Sequence, residues 1–162
     1  GDTKIFLVQR LASLCQPHAW SCVVGSSLPE KEYRELLLDT KIFVSPYGLG
    51  EFSHKDEEAV LSGAVLMKPG AAILEATAPI YTPDVTCLDV RPDWADLESA
   101  LAAALARPAR LLQVQRAAHA ALRQFSGLEA AVRQRDVLAK YAGLVTRAAA
   151  AVREREAAER NL

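Results

Sequence analysis

The sequence is poor in the residues and runs that mark several large classes of protein. It has three cysteines in 162 residues, Cys15, Cys22 and Cys87, at spacings that match no metal site. We expect all three to be free, buried thiols in a reducing compartment. No apolar run approaches the roughly 20 residues that span a bilayer, and the first residues lack the pattern of a signal peptide. These absences favour a cytoplasmic location, with the secretory pathway as the alternative.

Several catalytic motifs are also missing. The sequence has no Cys-x-x-Cys pair, no His-Glu metal motif and no Gly-x-Ser-x-Gly elbow, which argues against redox, metallohydrolase and serine hydrolase chemistry. Charge is uneven: residues 1–109 have a balance of −6, and residues 110–162 a balance of +5. The arginines of the basic part lie in an alanine-rich helical pattern without interleaved aromatic residues. We therefore expect a solvated helix face and no nucleic-acid partner.

An alternation of strand and helix patterns is present instead. The chain is 51% hydrophobic and 24% charged, which is typical of a globular domain. A helix is predicted at the start, in IFLVQRLASLCQ. Buried strands are predicted in WSCVVGSS, KIFVSPY, AVLMKPG and VTCLDV. We therefore predict an α/β fold, with a Rossmann-like parallel sheet of about four strands in residues 1–108 and a helical extension in residues 109–162.

Capping residues predict where the intervening helices begin and end. Residues 27–30 have the spacing of a capping box, with a proline just inside the helix. Residues 53–56 form a second capping box, which starts a helix that ends at Gly63. Asp93 is predicted to cap a later helix, and ILEATAPIYT to form a weak helix that its proline stops.

The stretch KIFVSPYGLGEFSHKDEEAVLSGAVLMKPG carries the strongest indication of function. Its first strand runs into Gly48, Gly50 and Glu51, and the next helix begins close to that loop. Free N–H groups at a helix start bind phosphate, and glycines let the backbone approach it closely. Lys55 in the first turn supplies a charge for a diphosphate, and Glu58 one turn deeper can accept bonds from two ribose hydroxyls. The order of these features predicts a nucleotide site.

The same stretch resembles the donor-binding half of GT-B glycosyltransferases, in the group with the glycosyltransferase family 1-type C-terminal domain. The resemblance covers roughly residues 28–106. It rests on Ser45-Pro46, Gly48, Gly50-Glu51, Lys55-Asp56, Glu58-Ala59 and Gly63. It implies a nucleotide-sugar substrate, with Glu58 on the ribose and with Lys55 and residues 48–51 facing the diphosphate and sugar. His54 is a minor candidate beside the sugar. Such transfer needs no metal held by the protein and no cofactor.

Two departures from the family pattern affect the residue roles. Glu51 and Glu58 are seven positions apart, one fewer than in many of these enzymes, so Glu51 departs from the family spacing relative to Glu58. Lys55 stands where relatives more often have arginine, and lysine lacks the bidentate geometry of a guanidinium.

The resemblance also implies a second domain. GT-B enzymes use two Rossmann-like domains, and this sequence has the pattern of one, so the acceptor and the catalytic group stay unassigned. We expect an N-terminal acceptor domain or a partner subunit to complete the enzyme. The apolar stripe of the last helix predicts self-association through residues 126–155. Two alternatives stay open: a non-hydrolysing sugar-nucleotide epimerase of the same fold, and a non-catalytic Rossmann-like scaffold module.

Overall fold

A computed structural model describes residues 2–24, 28–47, 52–74 and 79–125 of the chain. Three strands form one parallel sheet in the order β1-β2-β3. They are β1 Ile42–Val44, β2 Val65–Pro69 and β3 Leu88–Val90. The α-helices are α1 Asp2–Cys15, α2 Glu30–Leu38, α3 His54–Leu61, α4 Leu97–Leu105 and α5 Pro108–Phe125. Short 3-10 helices span Ala71–Ile73 and Pro79–Tyr81.

The predicted α/β class with a parallel sheet is confirmed, and this open sheet is compatible with a Rossmann-like fold. The central strand β2 is buried along its whole length, because helices cover both faces of the sheet. Leu66 and Met67, which point to opposite faces, are both 0% exposed. The continuous apolar run of AVLMKPG therefore reports two-sided burial, as the sequence indicated.

Each face of the sheet has its own apolar cluster. On one face, Met67 of β2 and Val90 of β3 pack with Leu7 of α1 and with Leu97 and Leu101 of α4. On the other face, the cluster joins helices α2 and α3. It contains Leu37, Ala59 and Ala64, with Tyr33 and Phe43 packed against them. Helix α3 therefore contacts both the sheet and α2, and its two sides have different surroundings.

The prediction of a strand in WSCVVGSS is wrong for residues 20–24, which are described and lie outside the sheet. The Trp20 N–H donates to the carbonyl of Cys15 at 3.0 Å, so the chain turns back at the end of α1. His18 stacks on Trp20 with ring centroids 4.3 Å apart, and its Nε2 lies 2.8 Å from Oε1 of Glu98 on α4. These contacts hold the segment against α1 and α4.

The prediction of three free thiols is also wrong. Cys15 and Cys22 form a disulfide with a Cα–Cα distance of 6.0 Å, and Cys87 is free and buried. The intervening turn, with Ala19 at φ +52°, brings the two cysteines within bonding range. The argument for a reducing compartment therefore loses its basis, and the cytoplasmic location stays a prediction. None of the helices in the described part of the chain is long and apolar enough to cross a membrane.

The predicted boundaries of α3 are confirmed. Ser53 is its N-cap and accepts the N–H of Lys55 at 3.2 Å. Gly63 follows the helix at φ +92°, a conformation that glycine adopts without strain. The Gly63 N–H donates to Val60 at 3.1 Å and the Ala64 N–H to Ala59 at 2.9 Å, which is a Schellman motif.

Other helix starts differ from the prediction. Helix α2 begins at Glu30 with Pro29 as its N-cap, so the proline lies before the helix rather than inside it. Helix α4 begins at Leu97, and Asp93 instead accepts the N–H of Ala95 at 3.1 Å within the preceding turn. The described parts of ILEATAPIYT contain 3-10 turns and no α-helix. Proline begins the second of these turns, because its fixed φ suits a helix start.

Helix α5 has an apolar stripe, with Val114, Ala118 and Leu122 buried. It belongs largely to the same compact unit as the sheet, which extends to Arg123. The stripe proposed for self-association, in residues 126–155, lies outside the described residues. The division of the chain at residue 108 likewise stays a prediction.

Candidate functional site

The carboxyl ends of the strands and the start of α3 meet at one edge of the sheet. Ser45 follows β1, Lys68 lies near the end of β2, and α3 begins at His54, after the loop that follows β1. In parallel α/β sheets this edge is where ligands bind, because the loops that lead into helix starts gather there. Two groups of polar side chains lie on opposite sides of α3 at this edge.

The first group is a buried cluster of Ser45, Asp56, Lys68 and Tyr81. At its centre, Lys68 Nζ lies 2.7 Å from Asp56 Oδ2, and both side chains are 0% exposed. Asp56 faces inward because it shares the inner side of α3 with Ala59 and Val60. Two charges are stable in such a place only when they are paired and fully hydrogen-bonded.

The other members of the buried cluster complete this hydrogen bonding. Ser45 donates its hydroxyl to Asp56 Oδ1, and Tyr81 donates its hydroxyl to Oδ2 at 3.0 Å. Lys68 also donates to Ser45 Oγ at 3.3 Å. Its Nζ lies 5.6 Å and 5.7 Å from the ring centroids of Tyr47 and Tyr81, within the range of a cation–π attraction. Asp56 is therefore held from the residue that follows β1, from β2 and from the second 3-10 turn.

Burial decides the protonation of Tyr81 in this cluster and of Cys87 nearby. It raises the pKa of Tyr81, and the negative charge of Asp56 raises it further. Tyr81 therefore stays a protonated hydrogen-bond donor at neutral pH. Burial also raises the pKa of Cys87 to about 12, with added repulsion from Asp89 and Asp84. Because the thiolate is the reactive form, Cys87 is inert near neutral pH.

The second group is a surface cluster of Tyr33, Lys55 and Glu58, on the side of α3 that faces α2. Tyr33 donates its hydroxyl to Glu58 Oε2 at 3.2 Å. Lys55 Nζ lies 4.3 Å from the centroid of the Tyr33 ring. Partial burial raises the pKa of Tyr33 to about 12, and the charge and hydrogen bond of Glu58 add to the increase. Lys55 and Glu58 are exposed, so a ligand can reach both.

The structure brings two of the six predicted site residues together. Lys55 and Glu58 meet around Tyr33, and His54 is the exposed first residue of α3. Gly48, Gly50 and Glu51 lie outside the described residues, so their roles stay predictions.

The buried cluster was not predicted as a site. Lys68 is the residue that could have indicated this cluster, because a lysine inside an apolar strand pattern needs a buried partner. Nothing in the sequence pairs it with Asp56 rather than with another acidic residue, since the pairing depends on the crossover from β1 to β2.

Apolar side chains are exposed near the same edge. Phe52, just before α3, is 50% exposed, and its ring lies 5.3 Å from that of Tyr81. Ile73, beyond β2, is 75% exposed. Gly70, at φ +60°, lets the chain turn tightly after β2, where a Cβ atom would lie 3.2 Å from the Tyr47 hydroxyl. Among the described residues, Phe52 and Ile73 therefore place exposed apolar side chains beside the charged and hydrogen-bonding groups of this edge.

Within the described ranges, no group of three or more His, Cys, Asp or Glu side chains has the arrangement to hold a metal ion. Comparisons of the chain with protein-family models, with curated proteins and with solved structures found no match.

Proposed function

We propose that this chain binds a nucleotide sugar and forms the donor-binding half of a glycosyltransferase. The observation that carries the proposal is the meeting of Lys55 and Glu58 on one exposed side of α3, at the carboxyl edge of a parallel sheet. A cation and a carboxylate one turn apart at such an edge suit the two halves of a nucleoside diphosphate. The family resemblance of the sequence supports the same assignment.

Each residue of the surface cluster has a role in this proposal. The positive end of the α3 dipole and the ammonium of Lys55 bind the diphosphate. Glu58 accepts hydrogen bonds from the ribose hydroxyls. Only its Oε2 is bonded to Tyr33, and an ionised carboxylate has about four acceptor sites in all, so acceptor capacity is left for the sugar. Tyr33 holds Glu58 in place and stacks against the Lys55 ammonium.

The contribution to catalysis follows from the reaction. In sugar transfer, an acceptor hydroxyl bonds to the anomeric carbon, the bond to the diphosphate breaks, and negative charge grows on the leaving nucleoside diphosphate. Groups already aimed at that charge lower the barrier. We assign that role to Lys55 and the start of α3. The acceptor and its general base belong to the second domain or subunit.

Isothermal titration calorimetry with UDP, GDP, ADP and the corresponding nucleotide sugars tests the proposal. We expect the chain to bind the nucleotide of one of the three bases. The corresponding nucleotide sugar should bind at least as tightly as that nucleotide. Lys55→Met should weaken binding of the diphosphate, while Lys31→Met, which changes an exposed lysine on α2, serves as the matched control. Failure of all of these ligands to bind the folded chain would overturn the proposal.

A further inference from the structure

The buried cluster places two charged side chains under α3, where apolar side chains would avoid the cost of removing charge from water. Both charges of the Asp56–Lys68 pair are 0% exposed. Removing two such charges from water costs free energy that their attraction only partly returns, and apolar side chains of similar volume often serve stability as well or better. The presence of the pair therefore calls for a role other than stability.

Lys68 has no access to a substrate. Its side chain is 0% exposed, and its ammonium already donates to Asp56 and Ser45. Tyr81 is buried and donates to the same carboxylate. None of these groups can act as a nucleophile or as a general base on an external molecule, so any role must pass through another part of the structure.

That part is α3. Apolar contacts attract without preferred direction, so they leave a helix free to rotate about its axis by small amounts. Hydrogen bonds to a charged group have narrow ranges of distance and angle. Asp56 receives such bonds from Ser45, Lys68 and Tyr81, which lie on three separate segments of the chain. These bonds fix both the rotation and the depth of the first turn of α3.

The rotation of α3 determines where the surface cluster lies. Successive residues of an α-helix are about 100° apart, so Lys55 and Glu58, three residues apart, share one side. Asp56 lies between them in sequence and points to the opposite, buried side. Turning Asp56 inward therefore presents Lys55 and Glu58 together to solvent and to Tyr33.

We infer that Asp56 and Lys68 are positioning residues, which hold the first turn of α3 so that Lys55 and Glu58 present one ligand-binding surface. The inference rests on the proposed function for the identity of the ligand, a nucleoside diphosphate. The geometric part, the placement of the surface cluster, stands independently of that ligand.

The main test removes the whole buried cluster at once, so that neither charge of the Asp56–Lys68 pair is left without its partner. The variant Ser45→Ala/Asp56→Leu/Lys68→Met/Tyr81→Phe replaces each member with an apolar side chain of similar shape. We expect it to fold, with a cooperative thermal transition. We also expect its affinity for the nucleotide that the unchanged chain binds to fall about tenfold or more, as when one charge-assisted hydrogen bond is lost. Unchanged affinity in this folded variant would overturn the inference.

An NMR measurement reads the geometry without a ligand. In the unchanged chain we expect nuclear Overhauser contacts between the Tyr33 ring and the side-chain methylenes of Lys55 and Glu58. These contacts should weaken or disappear in the apolar variant. Retained contacts would overturn the inference even if the chain binds no nucleotide. Absence of nucleotide binding in the unchanged chain, with contacts that do depend on the buried cluster, would refute only the proposed function.

A conservative substitution covers the case in which the apolar variant does not fold. Asp56→Glu keeps the charge and the pairing but adds one methylene between α3 and its partners. We expect this variant to fold and to lose both affinity and the Tyr33 contacts. Glu57→Asp, a change of the same size at the next position, is the matched control. Unchanged contacts in Asp56→Glu, or failure of both Asp56 variants to fold, would show that the pair serves stability and would overturn the inference.

Discussion

The two polar clusters on α3 are built from the same three kinds of side chain. The buried cluster has an acid, a lysine and a tyrosine in Asp56, Lys68 and Tyr81, with a serine added. The surface cluster has Glu58, Lys55 and Tyr33. In the buried cluster the lysine bonds the carboxylate directly at 2.7 Å. In the surface cluster the lysine lies over the tyrosine ring, and only the tyrosine bonds the carboxylate, at 3.2 Å.

Burial explains the difference. In the interior an unpaired charge is costly, so the lysine and carboxylate must meet and every remaining polar atom must find a partner. At the surface, water competes for each group and a contact contributes little. The surface groups therefore keep acceptor and donor capacity for a ligand. The same chemistry serves as structure on one side of α3 and as a binding surface on the other.

The largest predicted difference is in the free energy of unfolding, between variants that remove one lysine from each cluster. Lys68→Met leaves Asp56 charged, buried and without its partner, which should lower the free energy of unfolding by about 3–5 kcal/mol. Lys55→Met removes an exposed lysine and should change the free energy of unfolding by less than about 0.5 kcal/mol. Urea denaturation followed by circular dichroism measures both. Equal losses in the two variants would contradict the distinction between the clusters.

Removing the surface carboxylate should affect binding and leave stability unchanged. Glu58→Ala should lower nucleotide affinity by about 1.5–3 kcal/mol, the value of a charge-assisted hydrogen bond. Its free energy of unfolding should stay within about 0.5 kcal/mol of the unchanged chain. Calorimetry and urea denaturation test the two parts, with Glu57→Ala as the neighbouring control. Full affinity in a folded Glu58→Ala variant would refute the assignment of Glu58 to the ribose hydroxyls.

The two tyrosine hydroxyls should differ by a smaller amount in their contributions to stability. Tyr81→Phe leaves the buried carboxylate with two donors in place of three and should cost about 1 kcal/mol of stability. Tyr33→Phe, at the surface, should cost less than about 0.5 kcal/mol. Thermal denaturation of the pair measures the difference, because each variant loses only one oxygen atom. A larger loss in Tyr33→Phe would show that the surface cluster supports the fold.

The sequence was sufficient for several features that depend on neighbouring residues, although it misplaced the starts of α2 and α4. The cap at Ser53, the turn at Gly63 and the buried run of β2 each follow from short patterns. Those patterns also gave the surface cluster in part, since Lys55 and Glu58 lie on one side of any helix that starts at Ser53.

Features that depend on distant residues were missed. The buried cluster requires residues from four segments to meet, and the disulfide requires the chain to turn at Ala19, where a positive φ is rare outside glycine. WSCVV has the composition of a strand, but a strand needs a neighbour to pair with, and Trp20 is instead bonded back to α1. Local propensity is weaker than such tertiary contacts.

The smallest predicted effect is a shift in the titration of Tyr33. Partial burial and the charge of Glu58 raise its pKa from 10.0 to about 12. Because the folded pKa lies above the unfolded value, this contribution to stability is fully present below pH 10 and is lost as the pH rises through 12. NMR of tyrosine labelled with ¹³C at Cζ follows the ionisation, with Tyr33→Phe to assign the signal. Glu58→Gln should lower the pKa of Tyr33 toward its ordinary value, while Glu32→Gln, on α2 beside Tyr33 in sequence, should leave it nearly unchanged. Burial remains in the Glu58→Gln variant, so the pKa should stay somewhat above 10.0. A Tyr33 pKa that does not respond to Glu58→Gln would show that the two side chains do not meet in solution, and the surface cluster would lose its carboxylate.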